Sequence, residues 1–510
     1  MKTISFQNAG FPARPVLTIR GSAIRMRPWD QFSGVLALLI CLYLLAWAVK
    51  TYWLVQTVNL AGPVMLGAAT VFTAYQLLRR NSLVVWTPFF WFLGAVVLFY
   101  VLGPLVYVLG SSAVVHYVAS SLPILVTDED LLKTNLLNCV GIFSVAIGVR
   151  FGAWLLPVVR KHQYLSGEEL FRMKSLAVLL LISGGVIQFG LTLPWEFGVY
   201  DFVLPGVIYN LSKLFLFGLM TLSYLVAAGV RRWRMLLYGF WAVQLLIALI
   251  HFSKTEVMIT ILLPVLGAYM ANRNLKRLVL WFLVMAVVYV VIAKFIHYGR
   301  HEVMDLSGTL NQATVSERLQ ITGRALVERS LEQKLFQDDV SSLETGWARL
   351  SYANVQTFVM DQYDRGWSGN TLEMVLYVFI PRFIWPDKPI MSDIGVDFYE
   401  IVTGRRLETT HLGLGIFGEG YWNFGWVGVV LLGLNTGIVF WFMGVFSMGW
   451  MAARQLEYMP SIFLGINMGL LGPTQFFANA IVGGVGYFVV YALIVSKVFS
   501  LVLARNRIGN

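Results

Sequence analysis

The feature that most limits what this chain can fold into is a series of apolar runs, each long enough to cross a bilayer, separated by short polar connections. Twelve helices are expected, near residues 32–49, 58–78, 83–109, 131–157, 175–193, 206–230, 235–251, 255–271, 278–297, 424–450, 460–479 and 481–504. The chain has 510 residues, of which 58% are hydrophobic and 13% charged, and its mean hydropathy is +0.70. A soluble domain carries about 25% charged residues. So much apolar surface cannot be hidden inside one globule, and lipid is then the solvent. The expected fold is an all-α, polytopic integral membrane protein.

The remaining composition fits that solvent. Seventeen Trp and 22 Tyr suit the interface belts, where a ring sits in lipid and a polar tip in water. In a soluble protein a net charge of +11 would raise the question of nucleic acid. Here the simpler account is that short cytoplasmic loops collect Lys and Arg, and no nucleic-acid partner is expected. Cys41 and Cys139 fall in apolar segments without metal-ligand spacing. The polar, basic residues 1–31 precede an apolar run, Phe32 to Val49, that is too long for a signal-peptide core and reads as a retained first helix.

Orientation follows from the basic residues. Arg79–Arg80, Arg160–Lys161, Arg172–Lys174, Arg231–Arg232–Arg234, Arg273–Lys276–Arg277, Arg454 and Arg505–Arg507 fall at every second connection. Alternate short connections hold only Lys50, Lys133 and Lys254. Both termini are therefore expected in the cytoplasm. Helices one to nine fill 32–297, and 298–423 forms one large extracytoplasmic loop. Three helices then fill 424–504, and 505–510 returns to the cytoplasm. Between Tyr298 and His411 there are 16 acidic and 11 basic residues. The part from Thr314 to Phe336 has helical spacing and reads as a surface helix. The second half, with its Trp, Pro and Gly, reads as irregular.

Chemistry concentrates in that loop. In Pro381-Arg382-Phe-Ile-Trp385-Pro386-Asp387-Lys388-Pro389 the prolines forbid a continuous helix. Arg382 and Lys388 then sit on a stiff segment beside the membrane, suited to a phosphate-bearing ligand. An interfacial loop with snorkelling cations and a Trp anchor is the plain alternative. Arg405 and Arg406 lie outside against the charge rule. Anion binding is one reason for that, and ion pairing with Asp393, Asp397, Glu400 or Glu408 is another. Glu419, in Gly418-Glu419-Gly420-Tyr421-Trp422-Asn423-Phe424-Gly425, is either a buried acid fit for proton transfer or a helix-capping carboxylate. Lys254 and Arg300 share an address at the outer ends of helices, where a cation is costly unless paired or functional. Lys254 has Glu256 as a nearby partner. Residues 254, 300, 382, 388, 405 and 406 are expected to converge on one cavity.

The run Gly369-Asn-Thr371…Pro381-Arg382-Phe-Ile-Trp385-Pro386-Asp387-Lys388-Pro389, followed by Gly418-Glu419-Gly-Tyr421-Trp-Asn423-Phe424-Gly425, resembles the Wzy-type oligosaccharide repeat-unit polymerases, O-antigen polymerases among them. The likeness covers about 370–430 and, more loosely, 250–300. Where that family often shows Ser-Arg before a helix, this chain has Ser253-Lys254. The resemblance implies a glycosyltransferase-C-like fold in the bacterial inner membrane. It implies oligosaccharide repeat units on undecaprenyl diphosphate as substrates, joined into a cell-surface polysaccharide.

On that reading Arg382, Lys388, Arg405, Arg406, Lys254 and Arg300 bind diphosphate. Glu419 and then His411 are the candidate bases, and Trp385, Tyr421, Trp422 and Asn423 contact sugar. No metal or cofactor is expected; the partners are lipid and a chain-length-regulating co-polymerase. Asp128-Glu129-Asp130 matches an Asp-x-Asp pattern but reads as a solvated helix start. His116, His162, His251, His297 and His301 form no ligand set. The rivals are a ligase that moves finished glycan to a lipid core, and a transporter or flippase of lipid-linked sugars. The latter should show two related halves with charges along a midplane path.

Overall fold

A computed structural model gives the architecture. It describes residues 27–499 apart from 123, 157–167, 201–203, 205, 273, 308–313, 328–341, 379, 381–383, 386–387, 390–392, 408–410, 454 and 496. Arg382 therefore lies outside the described residues, as do both chain ends. Among the described residues the regular structure is helical, with no strand.

Among the described residues nine helices are long and apolar enough, by length and composition, to cross a membrane: Arg27–Val49, Tyr52–Arg80, Pro88–Leu109, Asp128–Leu155, Arg172–Glu196, Arg231–Ile250, Lys254–Asn272, Gly415–Ala452 and Ala478–Phe499. The protein is thus a polytopic membrane protein. The other three expected segments are helical but differ in form. The sixth is broken at Lys213 into Gly206–Ser212 and Leu214–Ala227. The ninth lies in one 33-residue helix, Leu275–Ser307. The eleventh is a 13-residue helix, Met459–Leu471.

Local chemistry explains several boundaries. Thr127 Oγ1 accepts from the Asp130 N–H while the Asp130 carboxylate accepts from Thr127, so a capping box starts the Asp128–Leu155 helix. Tyr52–Arg80 ends on Arg79 and Arg80, cations where the helix dipole favours them.

The segment 298–423 is more helical than its composition implies. Within the expected surface helix, Thr314 to Phe336, Val315–Val327 is helical with Ile321 buried, and 328–336 lie outside the described residues. Ala353–Asp364 and Ile394–Thr403 are helices where irregular chain was expected. Ile394, Phe398 and Val402 recur every four residues and are buried, and Gly404 ends that helix in the left-handed region at φ 68°.

Gly415–Ala452 packs along Asp128–Leu155, and small residues set the distance. A Cβ at Gly437 would run into the Val145 carbonyl oxygen, and one at Gly148 into that of Leu434. Backbones this close gain dispersion and weak hydrogen bonds that larger side chains would exclude. The long helix begins nine residues before the expected 424. It is interrupted at Phe424 (φ −142°) and Gly425 (φ 59°), so the expected boundary coincides with a kink.

Candidate functional site

Two neighbourhoods hold most of the residues singled out by sequence. The first surrounds Glu419, which is fully buried near the start of the Gly415–Ala452 helix. Thr371 Oγ1 donates to Glu419 Oε1 at 2.8 Å, and the Phe477 N–H donates to Oε2. Phe477 immediately precedes Ala478–Phe499, so the carboxylate satisfies a donor that a helix start leaves open. Asn423 Nδ2 donates to the Glu419 carbonyl at 2.9 Å and lies 3.0 Å from Thr371 Oγ1. The Gly369 N–H donates to the Trp422 carbonyl at 3.0 Å, and a Cβ at Gly369 would stand 2.6 Å from the Trp422 ring. Tyr421 Oη donates to Asp364 at 2.8 Å, and Asp364 is also paired with Lys133.

The motif thus works as a latch, tying 364–373 and the last long helix to one helix end. Tyr421 and Trp422 are only 4% and 7% exposed, and Trp422 packs on Phe398. Trp385 is half-buried, edge-on to Tyr377 at 5.3 Å.

The cations divide. Arg406 Nη1 lies 2.7 Å from Asp397 and 3.0 Å from Glu400, two of the partners named above, and Arg405 is exposed beside it. Lys388 Nζ donates to the Ile380 carbonyl at 2.9 Å. His411 is exposed on the same segment. Lys254 and Arg300, by contrast, come within electrostatic reach of each other and of Arg349. Among the described residues no ion pair involves any of the three. Lys254 Nζ sits 5.4 Å from the centre of the Tyr289 ring. Arg349 follows the short Ser342–Ala348 helix and is exposed. Sequence reasoning missed it, because a lone cation in a mixed-charge stretch carries no signal.

The turn that carries Lys254 is built for its position. Phe252 has φ 50°, which costs energy in a non-glycine residue. Two contacts hold it there: Arg300 Nε donates to the Phe252 carbonyl at 2.8 Å, and the buried Phe252 ring packs on Phe295 where Gly299 leaves room.

Beside this turn lies a group that sequence reasoning did not assemble. His251 Nδ1 is 2.7 Å from Glu256 Oε2, and Nε2 is 3.3 Å from Glu196 Oε2. Glu256 thus goes to His251 rather than Lys254. The three side chains have the spacing of a metal site, with ligand atoms within 4.8 Å of one another. However, Lys213 and Arg318 lie within electrostatic reach of Glu196 and already offset the carboxylates' charge, which weakens the site's attraction for a dication.

Burial alone would lower the His251 pKa, but the Glu256 hydrogen bond and the charges of Glu256 and Glu196 outweigh it and hold the imidazole above the ordinary histidine range. A raised folded-state pKa stabilises fully below the unfolded value, about 6.5, and the contribution is lost as pH rises through the folded value. The melting temperature is therefore expected to fall more steeply in the wild type than in His251→Gln as pH is raised from about 6 to 9. Parallel profiles in detergent melts would contradict this.

No known protein family, curated protein or solved structure matches the chain. Fold and sites together define a polytopic α-helical membrane protein with a segment latched to the start of its Gly415–Ala452 helix and three cations within electrostatic reach of one another.

Proposed function

We propose that the protein is a membrane glycosyltransferase that joins polyprenyl-diphosphate-linked oligosaccharide repeat units on the outer face of a bacterial plasma membrane. The observation that carries this reading is the gathering of Lys254, Arg300 and Arg349, cations from three separate elements that repel one another, with Glu256 the one carboxylate acting on Arg300 and itself engaged by His251. Like charges held together are destabilising unless an anion joins them. The motif resemblance over 370–430 supplies the class of anion.

In the reaction the acceptor hydroxyl oxygen attacks the donor's anomeric carbon. The bond from that carbon to the diphosphate oxygen breaks, and its electron pair leaves on the diphosphate. The three cations stabilise the charge that develops there. The hydroxyl proton goes to a base. Glu419 has both oxygens engaged, so we assign it to holding the 367–373 segment, and we take His411 as the base.

The test is incubation of the purified protein in detergent with a polyprenyl-diphosphate-linked oligosaccharide, with products separated by size. Longer lipid-linked glycans, formed without a membrane gradient, are expected. Glycan transferred only to a lipid core would favour the ligase. Movement of the lipid-linked sugar across vesicles without any new glycosidic bond would favour the flippase.

A further inference from the structure

Arg27–Val49 and Tyr52–Arg80 form a hairpin, and at its open end lies a cavity of about 500 Å³ lined by Arg27, Arg79, Arg80 and the Gln31–Gln76 amide pair. We propose that this cavity binds the headgroup of an anionic phospholipid of the phosphatidylglycerol class, independently of the transferase reading above.

Four observations converge. Arg79 and Arg80 stand at a helix C-terminus, where the dipole alone would explain them, but Arg27 precedes Pro28, a residue suited to a first helical turn, where the dipole disfavours a cation. A phosphate there is favoured by both the helix end and the guanidinium. The acid in that first turn, Asp30, is paired with Arg150 and so does not neutralise Arg27. Gln76 Nε2 donates to Gln31 Oε1 at 3.3 Å, while Gln76 Oε1 is buried with no donor among the described residues. A glycerol hydroxyl would supply one after a small rotation of the amide.

Phe72 and Tyr75, also lining the cavity, are 57% and 54% exposed, an apolar face for acyl chains one to two turns from Arg79. The chain's own residues 1–26 make a poor occupant: they carry Lys2, Arg14, Arg20 and Arg25 and no acidic residue. Basic pockets at the cytoplasmic ends of helices are recognised lipid-headgroup sites.

The experiment is native mass spectrometry of the full chain, released from detergent with equimolar phosphatidylglycerol and phosphatidylcholine. Wild type is expected to retain phosphatidylglycerol in preference. Arg27→Gln and Arg79→Gln should each weaken that retention about fivefold. Arg27→Lys with Arg79→Lys should keep most of it, and this variant decides the matter if the glutamine variants do not fold. Equal retention of the two lipids by wild type overturns the proposal, as does undiminished retention in Arg27→Gln/Arg79→Gln. Displacement of the lipid by millimolar inorganic phosphate would make this a free-phosphate site and would also overturn it.

Discussion

Glu419→Ala is expected to lower the stability of the protein by about 2–4 kcal/mol, because it strips two donors of the buried carboxyl that accepts from them. The Phe477 N–H would lose its partner outright at a helix start. Thr371, which also takes a hydrogen bond from Asn423, would lose the anchor that orders 367–373. Glu419→Gln should fall between. Its remaining oxygen serves one donor, and its amide can donate to the Thr371 oxygen but not to the Phe477 N–H. Melting in detergent, read alongside polymerisation, separates two roles. A latch loses stability and turnover together, with Gln intermediate in both. A proton-transferring carboxylate would lose turnover in Glu419→Gln at unchanged melting temperature, and that result would sink the latch.

Arg349→Ala is expected to reduce glycan elongation by about 10²–10³-fold, the loss typical when one preorganised stabiliser of developing negative charge is removed. Arg349 is exposed, makes no described hydrogen bond and repels Lys254 and Arg300, so its variant should melt at or slightly above the wild type. Lys254→Ala should lose turnover in the same way. Arg300→Ala should lose both turnover and stability, because its Nε also pins the Phe252 carbonyl. Arg300→Lys should keep part of the turnover and lose the pin. If Arg349→Ala elongates at the normal rate, the three cations do not hold the leaving diphosphate.

The membrane-spanning character of the chain was open to reading because a lipid solvent imposes it on every residue of a run. The helix start expected at 424 falls instead on the kink at Phe424 and Gly425, because the glycine-rich run before it is already helical. Ile394–Thr403 was written in its spacing, at 394, 398 and 402, but surrounding Pro, Gly and Trp masked it. The pairing of Lys254 with Arg300 could be anticipated, because both lie at helix ends on one side. Arg349 and the Glu196–His251–Glu256 group could not. They are brought together by packing between segments distant in the chain, and no local pattern encodes that. Arg406 had both readings open from sequence, and its contacts with Asp397 and Glu400 are those of the ion-paired one.

The way the Gly418–Gly425 run is used changes what a shared signature implies. Each of its distinctive letters has a mechanical duty: Glu419 and Asn423 fasten Thr371, Trp422 fills the notch left at Gly369, and Gly425 takes a dihedral that other residues resist. Another protein carrying the same letters would inherit a joint between helices, while its catalysis would be decided elsewhere, by whichever cations its own distant segments deliver.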